Sequence, residues 1–333
     1  MDKKLFSSIK RREFIKASVA GLAFFPAFNF NLLEGVKPVK KTKIALFKTL
    51  DRKRGVRVVL RLLDFSSPKG RKVMIKPNFN TADPAPGSTH NDILSQLIQE
   101  LKLRGASEIT VGERSGPPPT LSVMESKGIF DLAKELDFKI INYEELADED
   151  WVHFNPPGNH WEEGFYLAKP AVEAEYLVST CCLKTHQYGG IFSLSLKLAV
   201  GLTPKRLMRE LHSSANMRKM IAELSLGYRP QFIVLDGVEV FVDGGPSFGK
   251  KVEAGLLIAG TDRVAVDAVG VAVLKELGSN DAIMKTKIFE QEQIKRAVEL
   301  GLGISHPYKI EFVTPDKPSR LYANKLKKIL AQG

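Results

Sequence analysis

The sequence predicts an α/β fold: a mostly parallel sheet with helices on both faces, in a single large domain. Three observations carry that expectation. Short β-branched runs alternate with helical patterns along the chain, as strand-helix units do. Several of those runs are apolar without interruption, which suits parallel strands buried on both faces. A chain of 333 residues that is 44% hydrophobic and 26% charged has enough apolar material for one large core.

The N-terminal segment stands apart. Lys10-Arg11-Arg12-Glu13-Phe14-Ile15-Lys16 leads into a moderately apolar run at 17–28. Paired arginines, Phe-Ile-Lys and a short apolar run resemble a twin-arginine export signal. The run is uniform where an amphipathic helix would be periodic, and it is too short for an ordinary membrane span. The resemblance implies an exported, periplasmic or otherwise extracytoplasmic protein whose first partner is the twin-arginine export machinery. Such proteins fold before transport, often around a cofactor. No small-x-small cleavage site follows, so removal of the segment and its retention as a membrane tether both stay open. Residues 1–36 are read as signal segment and linker, and 43–333 as the domain.

The net charge of +11 sits mostly in that leader. Residues 1–43 carry ten Lys or Arg against three acids, which leaves +4 for the rest. A mildly basic body with no finger, RNP or homeodomain pattern gives no reason to expect a nucleic-acid partner. Cys181 and Cys182 are the only cysteines. An iron-sulfur cluster normally takes four thiolates and a structural zinc three or four His/Cys ligands, so this pair builds neither. Adjacent strand residues point to opposite faces, so a disulfide between them is strained and both are expected to pack as small buried side chains.

From residue 43 the elements follow in turn. Strands are expected at 43–48, where Ile-Ala-Leu-Phe lies between lysines, and at 72–76, stopped by Pro77. A helix at 92–103 aligns Ile93, Leu94, Leu97, Ile98 and Leu101 on one face. A strand at 108–112, a helix at 121–136 and a strand at 139–143 continue the alternation. Acids, then Trp151, Pro156, Pro157 and Gly158, break the rhythm over 144–161, which is read as an excursion over the sheet. Strands at 175–181, 232–236, 255–259 and 309–313 and helices at 217–226, 263–277 and 289–300 complete the pattern.

Ligands in open α/β sheets bind beyond the carboxyl ends of strands, so polar residues there come first. The strand at 72–76 ends in Lys76 and Asn78; Thr89 then opens the next helix at capping-box spacing from Asp92, with His90 beside it. The strand at 175–181 delivers Lys184 and His186 into a loop closed by Gly189 and Gly190. Ser193 and Lys197 share a face in either a strand or a helix, so Lys197 is read as touching an anion, with a Ser-Lys nucleophile pair as the alternative. Asp236 ends an apolar strand, and Gly245 and Gly249 sit in a loop where backbone amides can approach a ligand. Asp267, among small apolar residues, needs a cation such as Lys76, Lys184 or Lys197, or a place facing the cavity.

In order along the chain stand IKPNFN, STHNDIL, LKTHQYGG, SLSLKLAVG, a lone His212, VLDGV, GGPSFG and GTDRVAVDAVG. Together they resemble the domain of unknown function family numbered 362, a largely uncharacterised family of α/β proteins, over about residues 43–313. Some members resemble fusions to ferredoxin-type cluster domains; the cysteine run these need is absent here. The matching polar positions are Lys76, Asn78, Thr89, His90, Lys184, His186, Ser195, Lys197, His212, Asp236, Gly245, Gly249, Asp262 and Asp267.

These readings converge on a polar cleft for a small anionic ligand, a carboxylate or a phosphate. In the enzyme reading, His186, Lys184, His90 and Asp267 carry the chemistry, and Lys76, Asn78, Thr89, Lys197, Gly245 and Gly249 bind the substrate. A divalent metal would use His90, His186 and Asp236 as an open three-ligand site. The alternative is a solute-binding or accessory protein without catalysis.

Overall fold

A computed structural model describes residues 41–333. The twin-arginine-like segment lies outside the described residues. The chain forms β1 (Thr42–Lys48), α1 (Arg52–Leu62), β2 (Lys72–Lys76), α2 (Asn91–Leu103), β3 (Glu108–Glu113), α3 (Thr120–Ser126), α4 (Ile129–Leu136) and β4 (Lys139–Asn142). There follow β5 (Trp151–Phe154), β6 (Phe165–Ala168), α5 (Lys169–Val172), β7 (Tyr176–His186), β8 (Ile191–Ser193), α6 (Met208–Ser213) and α7 (Met217–Leu224). The last third holds β9 (Phe232–Gly244), β10 (Gly249–Gly260), α8 (Arg263–Glu276), α9 (Asp281–Met284), α10 (Glu292–Glu299), β11 (Ile310–Val313) and α11 (Lys317–Gln332).

Nine strands make one mixed, mostly parallel sheet in the order β11-β1-β10-β9-β7-β2-β3-β4, with β8 hydrogen-bonded to β7. β2, β3, β4, β7 and β9 run parallel, whereas β10 is antiparallel to both neighbours. The strand period of two divides β1 between two cores. Ile44 and Leu46 pack on one face in a cluster that includes α8, α10 and α11, and Ala45 and Phe47 on the other face with α1, α2, α3 and α4. The expected architecture, an α/β domain with helices on both faces of the sheet, is what forms.

Several boundaries differ from expectation, each for a local reason. The helix expected at 121–136 is split, because Gly128 takes φ +66° between α3 and α4. β7 runs five residues past Cys181, and all of it is buried between β9, β2 and β8. β9 and β10 extend into a long antiparallel hairpin whose turn is the glycine-rich loop. α1 and α11 were not anticipated; Asp51 and Asp316 cap them by accepting from Arg54 N and Ser319 N. The excursion at 144–161 does cover the sheet. Within it Trp151 and Trp161 join a third apolar cluster with Met74, Leu177 and α7. Among the described residues no helix is long and apolar enough to cross a membrane.

Candidate functional site

β2, β3 and β4 follow one another outward, and β7 then returns to pair on the opposite side of β2. The order reverses between β2 and β7, where a crevice opens beyond the carboxyl ends of parallel strands. A small inner chamber of about 60 Å³ lies there, bordered by Lys76, Asn78, Glu113, Arg114, Lys184, His186, Ser193 and Lys197. It adjoins an outer cleft of about 1160 Å³, with Asn80, Arg114, His186, Lys197, Val200 and Pro246 lining both.

The basic side chains of the chamber fall into two groups. Lys76 is an ion-paired residue: its Nζ donates to Glu113 Oε1 at 2.5 Å and to the Pro77 carbonyl at 2.7 Å. The second Glu113 oxygen accepts from Phe79 N at 2.7 Å. Burial pushes the ammonium down and the carboxyl up, and the attraction between them opposes both shifts. Lys184 spends its three donors on neutral oxygens, Asn78 Oδ1 at 3.0 Å, Gly87 O at 2.5 Å and Pro246 O at 2.9 Å. Arg114 is held by the carbonyls of Thr203, Ser115 and Val200, and burial lowers it to about 10. These three groups set the electric field but have little hydrogen-bonding capacity left.

Lys197 and His186 retain theirs. Lys197 opens the 3₁₀ turn after β8, and its Nζ makes no hydrogen bond or ion pair with any described residue. Burial, then the charges of Lys184 and Arg114, lower it to about 7. His186 ends β7, is 7% exposed, and leaves a buried Nδ1 with no hydrogen-bond partner. Burial, Lys197, Lys184 and His212 together push it down to about 2, so the ring is neutral. The two side chains share the space over Gly190, where a Cβ would stand 2.9 Å from Lys197 Cε and 3.0 Å from His186 Nδ1. Next to that glycine, Ile191 takes φ +64°, a costly conformation for a β-branched residue.

The remaining candidates serve the scaffold. Thr89 does not cap α2; its hydroxyl accepts from Asn78 N at 2.9 Å. His90 is the cap, its Nδ1 accepting from Asp92 N at 3.1 Å. Burial, then Arg52, lowers the His90 ring. Asp236 is ion-paired with Arg52 at 2.9 Å and also accepts from Val238 N. His90 and Asp236 border neither cavity, whereas His186 borders both, and the expected three-ligand metal site does not assemble. Among the described residues no three His, Cys, Asp or Glu converge on a point that could hold a metal.

Asp267 meets none of the three lysines and lines neither cavity. Its carboxyl accepts from Ser195 N at 2.8 Å, Ser195 Oγ at 2.5 Å and Leu196 N at 3.2 Å, while burial raises it to about 7. It thus clamps the segment that carries Lys197. Asp262 likewise caps α8 by accepting from Ala265 N. Gly245 and Gly249 are required by close backbone approach, and neither borders the two cavities. A Cβ on Gly245 would lie 2.1 Å from Thr185 O, one on Gly249 2.2 Å from Asp243 O, and it is Pro246 that reaches the chamber. His212 stands on the outer cleft, its Nδ1 against Met208 O at 2.7 Å.

Cys181 and Cys182 are free and buried, as expected, and burial raises both thiols, Cys182 to about 11. Glu113, Arg114 and Asn80 were not singled out from the sequence. The signal was present for the first two, since Glu-Arg directly ends an apolar strand at the rim where ligands bind.

The chain is 25% identical over 249 residues to the thylakoid-associated protein sll1697 of Synechocystis sp., covering 72% of this chain and 73% of that one. A solved structure, the lactate racemase apoprotein from Thermoanaerobacterium thermosaccharolyticum, covers 85% of both chains at 14% identity with a TM-score of 0.46. The model of the family described as Domain of unknown function (DUF362) matches residues 73–272, a span inside the one marked by the motifs, and the chain belongs to that family.

Proposed function

We propose that the protein is an enzyme acting on a small anionic substrate, a carboxylate or a phosphate, held in the inner chamber against Lys197 and His186. The supporting observation is unbalanced charge. Glu113 neutralises Lys76, but Lys184, Arg114 and Lys197 hydrogen-bond no carboxylate. Asp83 offsets part of the charge of Lys184, and Glu113 and Glu144 part of that of Arg114, but no carboxylate acts on the largely desolvated Lys197, and an anion in the chamber relieves the cost of that cation. The division of labour follows from the hydrogen bonds: Lys184 and Arg114 supply field, and Lys197 and the neutral His186 supply contacts.

Catalysis is favoured over passive binding by the amine. A group that titrates near neutral pH transfers protons in either direction at little cost, which is what general acid-base chemistry requires and simple anion capture does not. His186, uncharged, offers the substrate a hydrogen bond and fixes its orientation. Calorimetric titration with sulfate at low ionic strength tests the site. Saturable one-to-one binding is expected, weakened about tenfold or more by Lys197→Met, which keeps the length of the side chain and removes its charge. The absence of saturable binding, or affinity indifferent to that substitution, would sink the reading.

A further inference from the structure

The same site carries a more specific assignment, which rests on the anion chamber and names the reacting group of the substrate. Lys197 stands at the junction of the two cavities and lines both. Unlike Lys76 and Lys184, its amine is tied to no acceptor among the described residues. Beside it lies the unpartnered Nδ1 of His186, buried and sharing the space over Gly190. An amine desolvated next to other cations is the arrangement that makes lysine a nucleophile toward carbonyl carbon. The outer cleft on the far side of Lys197 is bordered by Tyr188, Met208, Met217 and Phe248, apolar groups suited to a carbon chain.

We infer that Lys197 forms an imine with an oxo acid whose carboxylate rests in the inner chamber and whose apolar chain runs into the outer cleft. The Nζ lone pair adds to the carbonyl carbon and forms the C–N bond. The carbonyl oxygen takes up the two amine protons and leaves as water as the C=N bond forms, while the neutral His186 Nδ1 lies beside the amine as a hydrogen-bonding partner. No electrons are gained or lost, and no co-reactant is needed. Burial, Lys184 and Arg114 lower the amine of the empty site to about 7; a carboxylate in the chamber raises it, so the unprotonated share that reacts grows as pH rises above that point. Glu113 is occupied by Lys76, and His212, on the outer wall, adds no negative charge.

The test is reductive trapping on the purified full chain. The protein is incubated with pyruvate or with 4-methyl-2-oxopentanoate and cyanoborohydride, digested, and mapped by mass spectrometry. A secondary-amine adduct concentrated on the peptide bearing Lys197 is expected, stronger with the longer acid, suppressed by excess sulfate and missing from Lys197→Arg. The wild-type peptide map decides even if the arginine variant does not fold. If sulfate binds in the calorimeter while labelling is absent or spread over surface lysines, the imine is wrong and the anion site stands. If sulfate does not bind and no adduct forms, both readings fall.

Discussion

At the scale of single residues, the chamber is organised by which donors are already used. Lys76, Lys184 and Lys197 are all lysines near the ends of strands, and all three were legible from the sequence as cations at a ligand-binding rim. Their hydrogen bonds separate them: two are fastened to protein oxygens and one is not. Sequence position could not reveal this, because the acceptors come from residues far along the chain, Gly87 and Pro246 for Lys184 and Glu113 for Lys76. The free amine has a pH signature. An anion binds the protonated form of Lys197 and raises its pKa from about 7, so binding takes up a proton above that point. Sulfate does not titrate in this range. Above about pH 7 its affinity should fall by up to tenfold per pH unit until the pKa of the bound state is passed. Lys197→Met should lack that slope, and a titration series across pH reads the difference.

At the scale of elements, the site depends on one short connection. β7 turns through Gly189 and Gly190 into β8, and the chain then enters the 3₁₀ turn that presents Lys197. Asp267 on α8 holds that turn from behind. Sequence reasoning recognised that a carboxyl among valines and alanines needed partners but assigned it lysines; the actual partners are backbone N–H groups and a serine hydroxyl, which no spacing rule identifies. Asp267→Ala leaves the Ser195 and Leu196 N–H groups buried and unpaired, so thermal unfolding should show a loss of about 3 kcal/mol. Sulfate affinity should fall with it, although Asp267 touches neither cavity. The strands themselves were readable from apolar runs. The extensions of β7, β9 and β10 were not, because pairing with neighbouring strands, rather than local composition, keeps polar residues such as Lys184 and Thr185 in the ladder. Gly128, by contrast, was a local break signal that the helix expected at 121–136 passed over.

At the scale of the whole molecule, the topology sets where the crevice lies. The strand order reverses between β2 and β7, and the chamber bordered by Lys76, Glu113, Arg114, Lys184 and Lys197 lies beyond those two strand ends. The fold class and this location followed from the strand-helix alternation and the polar motifs together. The metal alternative built on His90, His186 and Asp236 did not form, since these three side chains do not converge; His90 caps α2 and Asp236 pairs with Arg52. What remains is a chamber holding Lys184, Arg114 and Lys197 beside the paired Lys76 and Glu113, joined to a mainly apolar outer cleft, which under the proposed function suits an anionic group attached to carbon. The most direct measurement is a crystal grown with selenate, with anomalous diffraction collected at the selenium edge. A selenium peak in the inner chamber within hydrogen-bonding distance of Lys197 Nζ and on the His186 side is the predicted result. An ordered chamber without a selenium peak, in a crystal whose selenate is bound at other sites, would contradict the account.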